Sequence, residues 1–251
     1  VANATVAIER LRPFVERART GHPLAHAPRP LGDAFPWDFD GRARTLARLA
    51  KTILDVGTGP GSRLAAVLEE SEAFVVATDR RSRHMEEARA NLGDRASLVR
   101  ADARDLPFAP ASFDLILIRR QPFEAEPFIE AVKPGGAILA EQVHARNWHE
   151  LRAVFPRMTK PEDRYEKTKR AFRRAGFEFI DVRALDRPVA FAGLGELAYT
   201  IAASPWIVPD FSLEEDIEAL LELEAKHGDE RGILLTRSRY LIEVRRPLPI
   251  E

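Results

Sequence analysis

Three carboxylates and a run of glycines are the residues of this chain best placed to act together on one ligand. Asp55 heads the stretch Gly57-Thr58-Gly59-Pro60-Gly61-Ser62, Asp79 follows 22 residues after Gly57, and Asp102 follows 23 residues after Asp79. Gly57 and Gly59 can adopt backbone angles denied to other residues and leave no side chain in the way, so a ligand can touch the main chain there. Pro60 suits the first turn of a helix, whose free N–H groups attract a carboxylate or phosphate. An acid at the tip of the following strand can accept both hydroxyls of a ribose, and one at the strand after that could take the amino group of an adenine. The competing reading is a glycine-rich turn that binds nothing. The dinucleotide fingerprint also wants Gly or Ala where Ser62 stands, which counts against a nicotinamide or flavin site.

The elements that must hold these residues come in order. Ile53 to Val56 is an apolar run suited to a buried parallel strand, and Leu64, Ala65, Val67 and Leu68 mark one face of the helix after the glycines. Phe74 to Thr78 is a second strand ending in Asp79, and Ser97 to Ala101 is a third ending in Asp102 and Ala103. Phe113 to Ile118 is a fourth, ending in Arg119 and Arg120, and Ala137 to Ala140 is a fifth, preceded by Lys133-Pro134-Gly135-Gly136. The alternation predicts an α/β fold with a doubly wound, mostly parallel sheet.

In these motifs, over roughly residues 45 to 150, the chain resembles the class I S-adenosylmethionine-dependent methyltransferases. The resemblance implies a seven-stranded sheet whose last strand is antiparallel, and S-adenosylmethionine as cofactor. Asp55, Gly57, Thr58, Gly59 and Gly61 match the first motif, around the methionine end of that cofactor. Asp79 matches the ribose-binding acid, with Arg80 beside it counted among the cofactor residues, and Asp102 and Ala103 match the adenine contacts. Arg119 lies where the family builds the mouth between cofactor and acceptor, and is counted among the cofactor residues as well. Trp37-Asp38-Phe39-Asp40-Gly41 and the stretch Glu141 to His149 look like a bacterial small-molecule subgroup in which the fourth strand ends Asn-Arg-His. Here that position reads Ile118-Arg119-Arg120, so no histidine carries over from it. His144 and His149 become the candidate bases, with a hydrogen-bonded structural histidine as the alternative for His144, and Arg119 is grouped with them as a catalytic candidate.

Composition narrows the rest. With 251 residues and 45% apolar content the chain can bury a sizeable core. The 38 basic and 39 acidic residues give a net charge of −1, so no global positive excess marks a nucleic-acid binder. The absence of cysteine excludes disulfides, thiolate metal sites and methylation through a cysteine nucleophile. No metal-ligand cluster at plausible spacing is visible. No apolar run reaches membrane-span length and Val1 to Arg19 lacks a signal peptide's layout, so the expected location is the cytoplasm.

The expected organisation is a helical arm over residues 1–45, a cofactor-binding core over 46–187, a helical lid insertion over 188–235 between strands six and seven, and a returning strand over 236–251. The arm holds a helix from Ala4 to Arg19 despite Pro13, then a Pro- and His-rich loop in which His22 and His26 are expected to be structural or solvated. Trp37 and Phe39 either cover the ligand or staple the arm to the sheet. Beyond the fifth strand, Lys160 to Ala175 reads as a basic helix with Arg164, Lys167, Lys169, Arg170, Arg173 and Arg174. In the insertion, Trp206 and Phe211 either shape an acceptor pocket or pack a small core of their own. The function expected is in-line methyl transfer to a small-molecule acceptor, with no membrane partner. The alternatives are an RNA methyltransferase, suggested by the arginines at 80–83 and 164–174, a non-catalytic S-adenosylmethionine-binding module, and, as a minor competitor, a nicotinamide dehydrogenase.

Overall fold

The structure is a computed structural model that describes residues 2–22, 24, 28–159 and 162–249. His26 lies outside the described residues, as does the expected start of the basic helix at Lys160. The chain begins with α1 (Ala2–Arg19), β1 (Arg29–Pro30), α2 (Phe39–Ala47), β2 (Thr52–Val56), α3 (Ser62–Val67), β3 (Phe74–Asp79) and α4 (Ser82–Leu92). It continues through β4 (Ser97–Arg100), β5 (Phe113–Arg119), α5 (Glu126–Ala131), β6 (Val132–Val143), α6 (Leu151–Val154) and α7 (Arg164–Arg174). It ends with β7 (Glu178–Phe191), α8 (Leu194–Ala202), α9 (Leu213–His227), β8 (Gly228–Asp229) and β9 (Gly232–Arg245). Two compact units result. One gathers residues 36–144, 163–184 and 239–251; the other gathers 1–35, 145–162 and 185–238.

The first unit is the doubly wound sheet, with strand order β7-β9-β6-β5-β2-β3-β4. β2 pairs in parallel with β3 and β5, β3 with β4, and β5 with β6, whereas β9 is antiparallel to β6. A strand buried on both faces cannot alternate polar and apolar residues, which is why Ile53-Leu54 and Leu115-Ile116-Leu117-Ile118 read as continuous apolar runs. Their alternate side chains go to opposite faces. Leu54, Val56, Ile116, Ile118 and Ile138 join α5 and α7 through Phe128 and Phe172. Ile53, Leu115, Leu117 and Leu139 join α2, α3 and α4 through Ala43, Leu64 and Ala88.

Charges at the edges of this unit are paired. Glu243 of β9, 2% exposed, receives Nε of Arg42 at 2.7 Å and a second bond from the same guanidinium. Asp38 caps α2 by accepting from Gly41 N–H at 3.0 Å, so this helix starts at Phe39.

The second unit packs α1 against α8 and α9. Leu11 and Val15 of α1 sit in a core with Leu197, Ile201, Leu220 and Leu223. Gly195 permits that approach, because a Cβ there would meet the Phe14 ring at 2.6 Å. Pro13 lies inside α1 without ending it. Phe211 is buried in this core, whereas Trp206 is 61% exposed.

Two features differ from the strand count and lengths expected. β7 and β9 each run 14 residues and contribute to both units, and the short strands β1 and β8 are added, β1 pairing with β7 and β8 with β9. Asp186, Arg187 and Pro188 interrupt the apolar pattern of β7, so its continuation to Phe191 rests on pairing with its neighbours and not on local sequence. Among the described residues no helix is long and apolar enough to cross a membrane.

Phe172 is fully buried and anchors α7 to the sheet. Phe172→Ala should cost about 3–5 kcal/mol, read as a lower urea midpoint with an unchanged slope.

Candidate functional site

The turn after β2 is held by its own backbone. Gly57 and Thr58 N–H both donate to the Thr78 carbonyl, at 2.8 and 2.9 Å, which locks the end of β2 to β3. Gly57, Gly59 and Gly61 all have positive φ, at 73°, 58° and 81°. The space around them differs. A Cβ on Gly57 would lie 2.8 Å from Cβ of Gln121, and one on Gly61 would lie 3.1 Å from the Ala88 backbone, while nothing lies within 4 Å of one on Gly59. Gly59 N–H donates to Asp79 Oδ2 at 3.0 Å and Gly61 N–H to the Thr58 carbonyl at 3.2 Å. The loop therefore spends these donors on itself. It offers a ligand clearance above Gly59 in place of the row of free N–H groups expected from a helix N-terminus, and α3 is only six residues long.

Asp79 organises this turn. It is 7% exposed and accepts from Gly59 N–H, from Arg81 N–H at 2.9 Å and from a close contact with His84 Nδ1 at 3.1 Å. Burial pushes its carboxyl up, but the hydrogen bonds from Arg81, His84 and Gly59 outweigh that and hold it below the ordinary value. His84 looked like part of a solvated basic face. Its position on the first turn of α4 turns it toward the acid instead. Asp102 is bound by Arg104 through Nε at 2.9 Å and Nη2 at 2.7 Å, with Arg104 N–H at 3.0 Å. The Arg104 side chain and backbone hold its carboxyl well below the usual carboxylate range, and exposed Arg80 pulls the same way. Ala103 is buried beside Val99, Leu106 and Phe108.

Asp55, at the last turn of β2, is pushed up to about 6. Burial is the main cause; the buried Thr58 hydroxyl, which has no well-aligned hydrogen-bond partner, and Arg63 pull the other way, and Asp79 adds to the rise. Arg63 itself pairs with Asp40 of α2.

The ends of β5 and β6 carry a second cluster. Arg119 lies opposite Glu141 in the parallel register, and its Nε donates to Glu141 Oε1 at 3.0 Å. Trp37 Nε1 donates to the other oxygen, Oε2, at 2.9 Å. The Arg119 guanidinium carbon stands 5.6 Å from the centre of the Phe39 ring. Trp37 and Phe39 thus act on Arg119 and Glu141. The sequence singled out three of these four residues separately, but gave no signal that joined them.

The two candidate bases fall in different units. His144 is buried, with the rings of Tyr165 and Tyr240 at 5.8 and 6.2 Å. His149 is about half exposed; its Nδ1 lies 3.2 Å from the Arg146 carbonyl and 3.7 Å from Glu150 Oε2. On α7, Arg164 and Lys167 pair with Glu124, Lys169 pairs with Glu166, and Arg173 lies over Phe179. Much of the apparent basic stripe is therefore neutralised or stacked within the chain. Among the described residues no group of three or more acids or histidines is arranged to hold a metal ion.

The comparisons with known proteins agree with this geometry. Residues 53–136 match the methyltransferase domain family. The chain is 33% identical over 118 residues to malonyl-[acyl-carrier protein] O-methyltransferase of Xylella fastidiosa (strain M23), covering 43% of this chain and 40% of that one. It is 39% identical over 106 residues to demethylmenaquinone methyltransferase of Clavibacter sepedonicus, covering 38% and 43%. The chain thus matches about two fifths of the length of each of these curated relatives. Among solved structures, it superposes on a functionally unknown protein from Deinococcus radiodurans R1 with a TM-score of 0.63 at 16% identity, over 95% of this chain and 99% of that one. It superposes on the YcgJ protein from Bacillus subtilis with a TM-score of 0.61 at 17% identity, over 84% and 99%. Residues 53–136 are thus similar to a methyltransferase domain, and the chain shares the overall fold of these two solved structures.

The raised Asp55 gives a signed pH dependence. Between its ordinary value of 3.8 and about 6 the folded chain keeps a proton that the unfolded chain releases. Its contribution to stability is therefore greatest at low pH and falls as pH rises through that window. Asp55→Asn should remove this slope and raise the melting temperature at pH 7 relative to the unmodified protein, as measured by calorimetry from pH 4 to 8.

Proposed function

We propose that this chain is an S-adenosylmethionine-dependent methyltransferase that acts on a small-molecule acceptor by in-line displacement. The observation that carries the reading is the positive-φ turn at Gly57 to Gly61, open above Gly59 and braced by Asp79 from the adjacent parallel strand. The residues fit the cofactor as follows. Asp55 and the turn would surround its methionine end, Asp79 and Arg80 its ribose, and Asp102 and Ala103 its adenine. Three of the roughly four acceptor positions on the Asp79 carboxylate are already used, which leaves room for one ribose hydroxyl before His84 must give way. The upward shift of the Asp55 carboxyl by burial also fits a site that receives a cationic group, whose approach would favour its ionised form.

When bound, S-adenosylmethionine supplies a methyl group already made electrophilic by its sulfonium. The protein has to align the acceptor with that group and exclude water. Gly59 permits close approach, while Arg119, fixed by Glu141, orients what lies at the end of β5. Where the acceptor is a hydroxyl, His149 or His144 would take its proton. Malonyl-[acyl-carrier protein] and demethylmenaquinone, named for the two curated relatives, support an acceptor outside the nucleic acids.

Calorimetric titration with S-adenosylmethionine and S-adenosylhomocysteine tests this reading. Both should bind, NAD should not, and Asp79→Ala should weaken binding by about tenfold or more, the cost of removing a buried charged hydrogen-bond partner. No binding of either compound by the intact protein would defeat the proposal.

A further inference from the structure

Arg119 has a bound side and an unused side. Its Nε is committed to Glu141, yet Nη1 is buried with no hydrogen-bond partner among the described residues, and no hydrogen bond engages Nη2. A buried guanidinium nitrogen left unpaired costs free energy that a bound acceptor atom would recover. The side chain as a whole is 20% exposed while Nη1 itself is covered, so an acceptor reaches the guanidinium first at Nη2 and gains Nη1 as that cover shifts.

Charge makes the same point independently. Glu141 serves two arginines, Arg119 at 3.0 Å and Arg120 at 3.9 Å, and its second oxygen is taken by the neutral indole of Trp37. One carboxylate cannot neutralise two guanidiniums, so Arg119, Arg120 and Glu141 taken together carry one net positive charge. The site also adjoins the glycine turn, because β2 and β5 pair in parallel up to Val56 and Ile118, and Gln121 packs on Gly57.

We propose that the methyl acceptor carries a carboxylate and that Arg119 recognises it through its Nη1 and Nη2 edge. The flat fork of a guanidinium matches the two oxygens of a carboxylate, a fit that a lysine ammonium cannot reproduce. Glu141 and Phe39 set the plane of that fork, one by hydrogen bonding to Nε and the other by lying against the cation. This assignment rests on the cofactor reading above and deepens it by naming the acceptor's chemistry.

The test loads the protein with S-adenosylhomocysteine and titrates it with benzoate and succinate, and separately with benzamide and succinamide, at fixed ionic strength. The carboxylates should bind, and the amides should bind about tenfold more weakly or not at all. Arg119→Met should weaken the carboxylates by about tenfold or more while leaving S-adenosylhomocysteine within about threefold, and Arg119→Lys should recover only part of the loss. Equal binding of carboxylates and amides, or no carboxylate binding, would overturn the proposal. So would a large loss of S-adenosylhomocysteine affinity in Arg119→Met with methylthioadenosine unchanged, since Arg119 would then hold the cofactor's own carboxylate. Failure of S-adenosylhomocysteine to bind the intact protein is seen before any carboxylate is added, and defeats the cofactor reading itself.

Discussion

The candidate site depends on two N–H groups sharing one carbonyl. Gly57 and Thr58 both donate to Thr78, so the chain leaving β2 is tied to β3 at the moment it turns. That tie demands a left-handed backbone at Gly57, which in turn brings Gln121 against its bare Cα. Asp79, one residue beyond Thr78, is then in reach of Gly59 N–H. The strand pairing, the glycine and the acid form one constraint. A side chain at Gly57 would strain the backbone and strike Gln121 together.

Buried charge around the turn is arranged by hydrogen bonding and not by simple pairing. Asp79 stays acidic although burial opposes it, because two backbone N–H groups and His84 favour its ionised form. Asp55, on the adjacent parallel strand, goes the other way because burial dominates there. Two carboxylates at the same end of adjacent strands thus have opposite shifts, set by the number of donors each one meets. Glu141 adds a third case, a single acceptor group holding an indole and an arginine in place.

The parallel sheet and its strand ends were legible from the chain because continuous apolar runs ending in Gly or Asp have few other solutions. β2, β3, β4 and β5 fall where those runs lie, and α4 matches its expected limits. The lengths of β7 and β9 were not legible, since Asp186 and Arg187 hide the period that pairing reveals. Nor was the link between Trp37 and Glu141, which are 104 residues apart.

Local sequence determined the turn, the acids that follow it and the helices behind them, because glycine conformation, strand burial and helix amphipathicity are each set within a few residues. Tertiary structure alone decided what the polar groups do. His84 became a partner of Asp79, Asp102 was claimed by Arg104, and much of the basic stripe of α7 was neutralised. It also left Arg119 with a buried Nη1 that has no hydrogen-bond partner among the described residues. A side chain's charge is written in the sequence, but its partner is chosen by which strands lie side by side.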